Sequence, residues 1–258
     1  PQHPVIKDVF DVQNTRWTHW TMDDNPILSE ERKRSIIQSL KKNPYLYKRD
    51  VLGQRVMPQG VIYGLFDLEK NIKDSLLGEP VEMYFTGDGG QSDATSMACN
   101  IVTKHREGNK TFFRLNRVAH YYHSGAETGQ VKAMSTYAVE LRAFIQWCVS
   151  KYQMRYTDVW IDPACRSLRE ELHKLGIRTR GALNNAHDVS SKAKGIEVGI
   201  ERGQNIISSG QFLLINHSEE EYDHYHFLKE IGLYSRDDNG RPIDKDNHAM
   251  DEFRYSVN

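Results

Sequence analysis

Cysteine is scarce in this chain. Cys99, Cys148 and Cys165 are the only three, and none stands in a CxxC pair. That excludes a disulfide framework and a cysteine-built zinc site, and it points to a reducing compartment. There is no apolar run of membrane-spanning length and no N-terminal signal-peptide stretch, so no membrane association is expected. Positive charge is not in excess either. Lys plus Arg number 34 against 35 Asp plus Glu, a formal net charge of −1. Bulk electrostatic attraction to nucleic acid is thereby excluded, and any such contact has to be local or supported by partners. No G-x-x-x-x-G-K-[ST] phosphate loop occurs, and no internal repeat or low-complexity tract.

What is present is enough for one large domain with an appendage: 258 residues, 38% hydrophobic and 27% charged. The absence of methionine at Pro1 reads as an excised segment of a longer protein. Residues 1–66 read as the appendage, with a short helix from Ser29 whose first turn carries Glu30 and Glu31, where the helix dipole favours acids. Residues 67–258 read as the main domain. In "PVEMYFTGDGG" the alternation of Val81, Met83 and Phe85 predicts a strand that ends at a glycine-rich turn holding Asp88. "TSMACNIVTK" and "KTFFRLNRVAHYY" predict two more strands joined at Glu107-Gly108-Asn109, an antiparallel start to the sheet.

A long helix follows, with Met134, Ala138, Leu141, Ile145, Cys148 and Tyr152 on one stripe. Val159–Ile161 is then a short strand, Asp162-Pro163 a turn, and the next segment a helix with Ser167 and Glu170 at capping-box spacing and Gly176 at its end. An aspartate at the carboxyl end of such a strand lies where open α/β sheets place their chemistry. "KGIEVGIERGQNII" puts Ile196, Ile200 and Ile207 on one helical face, and "QFLLINHS" reads as an edge or penultimate strand. A helix from Ser218, a hairpin turn at Asn239-Gly240 and a final helix complete an α/β domain. In "DHYH", His224 and His226 diverge at i and i+2, which favours the surface.

Three carboxylates occupy distinctive positions: Asp88 on the first strand, Asp162 after the central strand, and Asp251 on the last helix, one turn from His248. Each has a plain alternative. Asp88 suits a glycine turn, Asp162-Pro163 suits a helix start, and His248 with Asp251 suits a solvent-facing helix end. As a set they supply the oxygen ligands that magnesium or manganese requires, with an imidazole suited to manganese or to proton transfer.

The segments "YFTGDGGQSDAT", "VWIDPAC", "GIEVGIERG" and "KDNHAMDEFRY" resemble the nuclease domain of the large terminase subunit of tailed bacteriophages, in the branch with an HxxD last motif. "DNP", "YKRDVLGQRV" and "GVIYGLFD" resemble the join between that family's ATPase and nuclease domains. The resemblance implies an RNase H-like mixed sheet flanked by helices. It further implies a two-metal (Mg2+ or Mn2+) endonuclease that cuts concatemeric double-stranded viral DNA during packaging in the host cytoplasm. By motif, Asp88, Asp162, Asp251 and His248 correspond to its catalytic and metal-binding residues. The implied partners are the packaging ATPase domain of the same subunit, the portal and the small terminase subunit. Without a phosphate loop, this chain is expected to cut DNA and not to translocate it. Lys192 and Lys194 are candidate contacts to the DNA backbone, whereas Arg254 and Tyr255 read as anchors of the last helix. The alternatives are another RNase H-like nuclease of resolvase or transposase type, and a non-catalytic module that docks on portal or DNA.

Overall fold

The computed structural model describes residues 18–40, 47, 51–53, 60–90, 94–184, 195–216, 221–237, 239–244 and 247–258. These fall into two compact units. One comprises the described residues up to Val61 with Ser235–Ile243, the other Ile62–Tyr234 with Asp244–Asn258. No helix among the described residues is long and apolar enough to cross a membrane.

In the smaller unit, α1 (Glu30–Leu40) begins with two acids against the positive end of its dipole. Ser29 Oγ accepts the Arg32 N–H at 3.3 Å, the cap that the sequence pointed to. The Asn239-Gly240 turn is a hairpin: Asp237 N–H donates to the Arg241 carbonyl at 2.8 Å, and Arg236 bridges Pro242 in antiparallel sense. Gly240 adopts φ 77°, a conformation that a β-carbon would strain.

The larger unit runs α2 (Leu68–Asn71), β1 (Ile72–Lys73), β2 (Glu79–Gly89), β3 (Ala94–Glu107), β4 (Lys110–Ser124), α3 (Gly125–Thr128), α4 (Met134–Tyr152), β5 (Val159–Ile161), α5 (Arg166–Lys174), β6 (Arg180–Gly181), α6 (Ile196–Ser208), β7 (Phe212–Ile215), α7 (Tyr225–Ile231) and α8 (His248–Ser256). The sheet order is β1-β7-β4-β3-β2-β5-β6. The β2-β3-β4 meander is antiparallel, while β5, β6, β7 and β1 join their neighbours in parallel. β7 is thus the penultimate strand.

Side-chain alternation divides the apolar residues between two cores. On β7, Leu213 and Ile215 join Phe144, Leu141 and Ile145 of α4, whereas Phe212 and Leu214 join Phe253 of α8 and Ile200 of α6. Successive strand residues point to opposite faces, so helices cover both sides of the sheet. β2 splits differently. Met83 and Phe85 enter the α4 core, while Tyr84, Thr86 and Asp88 fall on the other face, toward α8. Tyr84 donates its hydroxyl to the Ser256 carbonyl at 2.7 Å, and Thr86 bonds Glu252. The face that receives α8 is therefore polar along β2. Each large apolar side chain buried in either core contributes about 1.5–3 kcal/mol.

The "GIEVGIERG" glycines are explained by helix packing. A β-carbon at Gly203 would lie 2.9 Å from Tyr63 and 3.0 Å from Phe253, and one at Gly199 would lie 3.2 Å from Arg254 Cβ. Only glycine lets α6 approach α8 this closely.

Several sequence expectations are corrected. α5 starts at Arg166, so Ser167 falls inside the first turn. Cys165 occupies the cap position without a side-chain cap bond. The Asp162 turn sets this start early, through the Cys165 N–H to the Asp162 carbonyl at 3.0 Å. The far end of α5 is as expected. Gly176 N–H bonds the His173 carbonyl and Ile177 N–H the Leu172 carbonyl, both at 3.0 Å, a paired C-terminal closure. Ile196 is 43% exposed and does not share the core with Ile200 and Ile207. The expected helix start at Ser218 lies outside the described residues, and α7 itself begins at Tyr225, which places His224 before the helix, buried, with Nε2 donating to the Ile215 carbonyl at 2.9 Å. His226 stacks on Tyr122 with ring centroids 3.9 Å apart.

Candidate functional site

β2 and β5 are parallel, with Gly87 registered to Ile161. The next residue on each chain is an aspartate, Asp88 and Asp162, and Asp162 N–H donates to the Gly87 carbonyl at 3.1 Å. Parallel neighbours sit about 4.8 Å apart and registered side chains share a face, so both carboxylates stand side by side toward α8. Gly87 itself has no room for a side chain, because a β-carbon there would lie 2.8 Å from Ile161.

α8 delivers the remaining groups. His248 Nδ1 lies 3.0 Å from Asp88 Oδ2, and the Ala94 N–H donates to His248 Nε2 at 3.4 Å. That leaves Nδ1 as the protonated nitrogen of a neutral ring, donating to Asp88. Asp251 Oδ1 accepts from Arg254 Nη2 at 2.7 Å and Nε at 3.2 Å, while Oδ2 accepts from Asn247 Nδ2 at 3.3 Å. Tyr255, one turn further, donates its hydroxyl to Asp162 Oδ2. The same oxygen accepts Asn184 Nδ2 at 3.2 Å, and Asp162 Oδ1 accepts the Ala164 N–H at 2.6 Å. The side chains of Asp88, His248 and Asp251 are only 14%, 18% and 21% exposed. The solvent-facing alternative for the last helix is therefore overturned.

Electrostatics tie the carboxylates together. Burial raises the Asp251 carboxyl above the usual carboxylate range, Arg254 opposes the shift, and the Asp88 charge adds to it. The Tyr255 phenol is raised by burial, then by Asp88, Asp162 and Asp251, so one hydroxyl senses all three acids. Cys165, whose Sγ donates to the Gly89 carbonyl at 2.9 Å, is pushed up to about 12 by burial and then by Asp88. A buried carboxyl raised in part by a neighbouring carboxylate's charge, as Asp251 is by Asp88, is a charge pattern that a divalent cation relieves. The donors, carboxylate oxygens and one imidazole, suit magnesium or manganese. Among the described residues, however, no three His, Cys, Asp or Glu groups converge closely enough to hold an ion. Asp88 and His248 meet directly, while Asp162 and Asp251 are each engaged by donors from α8. Lys192 and Lys194 lie outside the described residues.

α8 is fixed at three points that the sequence did not disclose. At its start, Asn247 makes no side-chain cap bond. Glu230 of α7 supplies one instead, accepting the Ala249 N–H at 2.7 Å. In the middle, Glu252 is fully buried, receiving Arg117 Nη1 at 2.5 Å and the Thr86 hydroxyl. Near the end, the Ser256 carbonyl accepts Tyr84. Glu230 and Glu252 have partners more than eighteen and a hundred residues away, and no local pattern marks such pairs. Tyr255 reads in the sequence as an anchor of the last helix, and the acceptor of its hydroxyl, Asp162, is not marked there.

Burial pushes the Glu230 carboxyl up to about 7 from 4.5, against the opposing hydrogen bonds from Tyr122 and Ala249. A carboxyl whose folded pKa is raised stabilises the fold below about 4.5 and loses that contribution as pH rises through about 7. Glu230→Gln keeps an acceptor for α8 but removes the titration. Urea unfolding at pH 5 and pH 8 is expected to show the variant gaining on the parent by about 3 kcal/mol over that interval, at about 1.4 kcal/mol per pKa unit. A constant difference between them would contradict the assignment.

The comparisons with known proteins agree with this architecture. The chain superposes on the large terminase of a thermophilic bacteriophage, solved in complex with ADP, with a TM-score of 0.60 and 23% identity over 97% of this chain. That match covers 57% of the thermophilic phage protein, so the chain spans little more than half of its relative's length. It also superposes on the P22 large terminase nuclease domain with a TM-score of 0.53 and 13% identity, over 78% of this chain and 92% of that one. No family model matches the sequence, and no curated protein does. The mixed seven-stranded sheet with helices on both faces is the RNase H-like α/β fold of large-terminase nuclease domains.

Proposed function

We propose that this chain is the nuclease portion of a large terminase, a divalent-metal-dependent endonuclease that cuts concatemeric double-stranded viral DNA during genome packaging in the host cytoplasm. The observation that carries this reading is the pair Asp88 and Asp162, each the residue after the registered Gly87 and Ile161 of adjacent strands, facing a helix that brings His248, Asp251 and Tyr255. The ATPase domain of the longer protein, the portal and the small subunit are its proposed partners.

Asp88, Asp162, Asp251 and His248 would hold magnesium or manganese, which when bound activates water and stabilises the leaving 3′ oxygen. The chain's own groups prepare that site. His248 Nδ1–H holds Asp88 Oδ2 in place. Arg254 fixes one oxygen of Asp251, leaving the other to the weaker Asn247 contact. The Tyr255 hydroxyl fixes Asp162 Oδ2, so the orientation of this carboxylate depends on α8.

The test is conversion of supercoiled plasmid to nicked and linear forms with manganese, magnesium or EDTA, with Asp162→Ala and Asp251→Ala alongside. Metal-dependent cutting lost in both variants supports the reading, and cutting retained in both rejects this site. Tyr255→Phe is expected to weaken manganese affinity and cleavage by about 10- to 100-fold, the usual cost of removing an outer hydrogen bond to a ligand. Thermal shift against manganese concentration reads the affinity without turnover. The rival reading, a docking module that keeps the fold, draws on the absence of three converging ligands among the described residues. It requires that manganese leave the melting temperature unchanged.

A further inference from the structure

β3 and β4 outrun the sheet. β2 pairs with β3 only as far as Lys104, and β7 pairs with β4 only from Leu115 to Arg117. Beyond these limits the two strands pair only with each other, His105 with Phe112, Arg106 with Thr111 and Glu107 with Lys110, closing at Gly108 with φ 57°. The result is a two-stranded ribbon that projects past its neighbours. It lies far from the carboxylates, because Asp88 is registered to Ser96 and Arg106 is ten residues further along β3, about 33 Å at strand rise.

The composition of the ribbon departs from that of the chain. The whole protein carries a net charge of −1, yet Thr103–Arg114 holds Lys104, Arg106, Lys110 and Arg114 against the single carboxylate Glu107. Arg106 and Lys110 are exposed. None of Lys104, Arg106 and Lys110 enters an ion pair among the described residues. Directly opposed residues share a face, which places Phe113, 51% exposed, beside Lys104, with Glu79 across from that lysine on β2. The other face is covered by packed rings: His105 stacks on Phe112 at 5.1 Å and 11°, and the Arg114 guanidinium lies 5.1 Å over the Phe112 ring. Structure that neither neighbouring strand nor internal ion pairs account for is thus concentrated in one protruding, basic element.

We propose that this hairpin is a second duplex-DNA contact, separate from the carboxylate site. The ribbon's cations meet backbone phosphates, and Phe113 packs against the groove wall. A two-stranded ribbon fits the major groove, about 12 Å wide, and several lysines and arginines on one projection meet the closely spaced phosphates of a duplex. The choice of duplex as ligand rests on the nuclease reading above. A near-neutral protein that handles DNA needs its positive charge where the duplex is held, and the hairpin concentrates it.

The test measures binding in EDTA, so that neither metal nor cleavage enters it. Fluorescence anisotropy with a duplex of about 30 base pairs, over a series of salt concentrations, compares the parent chain with Lys104→Gln/Arg106→Gln/Lys110→Gln. The expected result is at least about a tenfold loss of affinity near 100 mM salt, with the slope of log K against log salt shallower by about two to three. Phe113→Ala is expected to weaken binding with the slope unchanged. Arg106 and Lys110 are on the protruding element and Lys104 and Phe113 at its base, and an unaltered melting temperature confirms that the variants fold. Equal affinity and equal slope in the triple variant, or no duplex binding by the parent, overturns the assignment. Failure of the nuclease reading looks different: binding still depends on the hairpin while no cutting occurs with either metal.

Discussion

Asp88→Asn is expected to lower metal-dependent cleavage by at least about a thousand-fold, because a metal clamp supplies several kcal/mol of transition-state stabilisation and each 1.36 kcal/mol is a factor of ten. Asparagine retains an oxygen that can accept the His248 Nδ1–H, so the contact now 3.0 Å long survives the substitution. What is lost is the charge at the end of β2. That charge also raises the Asp251 carboxyl and the Tyr255 phenol. Without metal, then, the variant is expected to be no less stable than the parent, since it removes a repulsion and keeps the His248 contact. With manganese, the two proteins should diverge. A ligand that binds only the folded state raises stability by about 2.7 kcal/mol at one hundred times its dissociation constant, and the variant should forgo most of that gain. Plasmid cleavage and manganese-dependent thermal shift together check the expectation. Full cleavage with a normal manganese shift in Asp88→Asn would remove this aspartate from the chemistry.

The parts of this site that could be read from sequence are those encoded locally. Asp162 follows a three-residue apolar strand and precedes proline, and Asp88 precedes two glycines, so both are marked by the turns they belong to. His248 and Asp251 are marked by helical spacing. The final helix was legible as an element but not as a buried one. Arg254 reads as an anchor of that helix, and its burial with Glu252 follows from partners on β4 and within α8 itself. The polar alternation Tyr84, Thr86, Asp88 was present in β2, but the apolar alternation Met83, Phe85 drew the reading to the other face. A period of two reports that a strand has two faces and does not report what covers each. The histidines of "DHYH" failed for a related reason, since the divergence of i and i+2 holds only inside a helix and α7 begins after His224. The glycines of α6 were noticed as a motif, and their physical content, close approach to Tyr63 and Phe253, required the packing partners.

Arg117→Met is expected to destabilise the domain by about 3–5 kcal/mol, the cost of leaving a buried carboxylate without its counter-charge. Glu252 is fully buried, and Arg117 is buried with it, its guanidinium 4.3 Å over the Phe227 ring. Burial raises the Glu252 carboxyl, and Arg117 is the largest influence that opposes the rise. Removing Arg117 therefore raises that carboxyl further. A raised folded pKa gives stability that is lost as pH increases, so the deficit of Arg117→Met should be largest above neutrality and shrink toward pH 5. For a domain of this size, a melting temperature lower by roughly 10 °C at pH 8 is the corresponding observation. The double substitution Arg117→Met/Glu252→Leu distinguishes two roles for the pair. Replacing a buried ion pair by apolar groups is often neutral or stabilising, so stability is expected to return. Glu252 also receives Thr86, which in turn accepts Asn100 Nδ2 at 2.9 Å, so the pair fixes the height of α8 against β2 and β3. An apolar contact leaves that height free to slide, and Asp251, His248 and Tyr255 move with the helix that carries them. Recovered stability with cleavage still reduced about 10-fold or more assigns the pair to registering the helix, in the way outer contacts orient metal ligands. Recovered stability with full cleavage assigns the registering to other contacts of α8, Glu230 and Tyr84 among them.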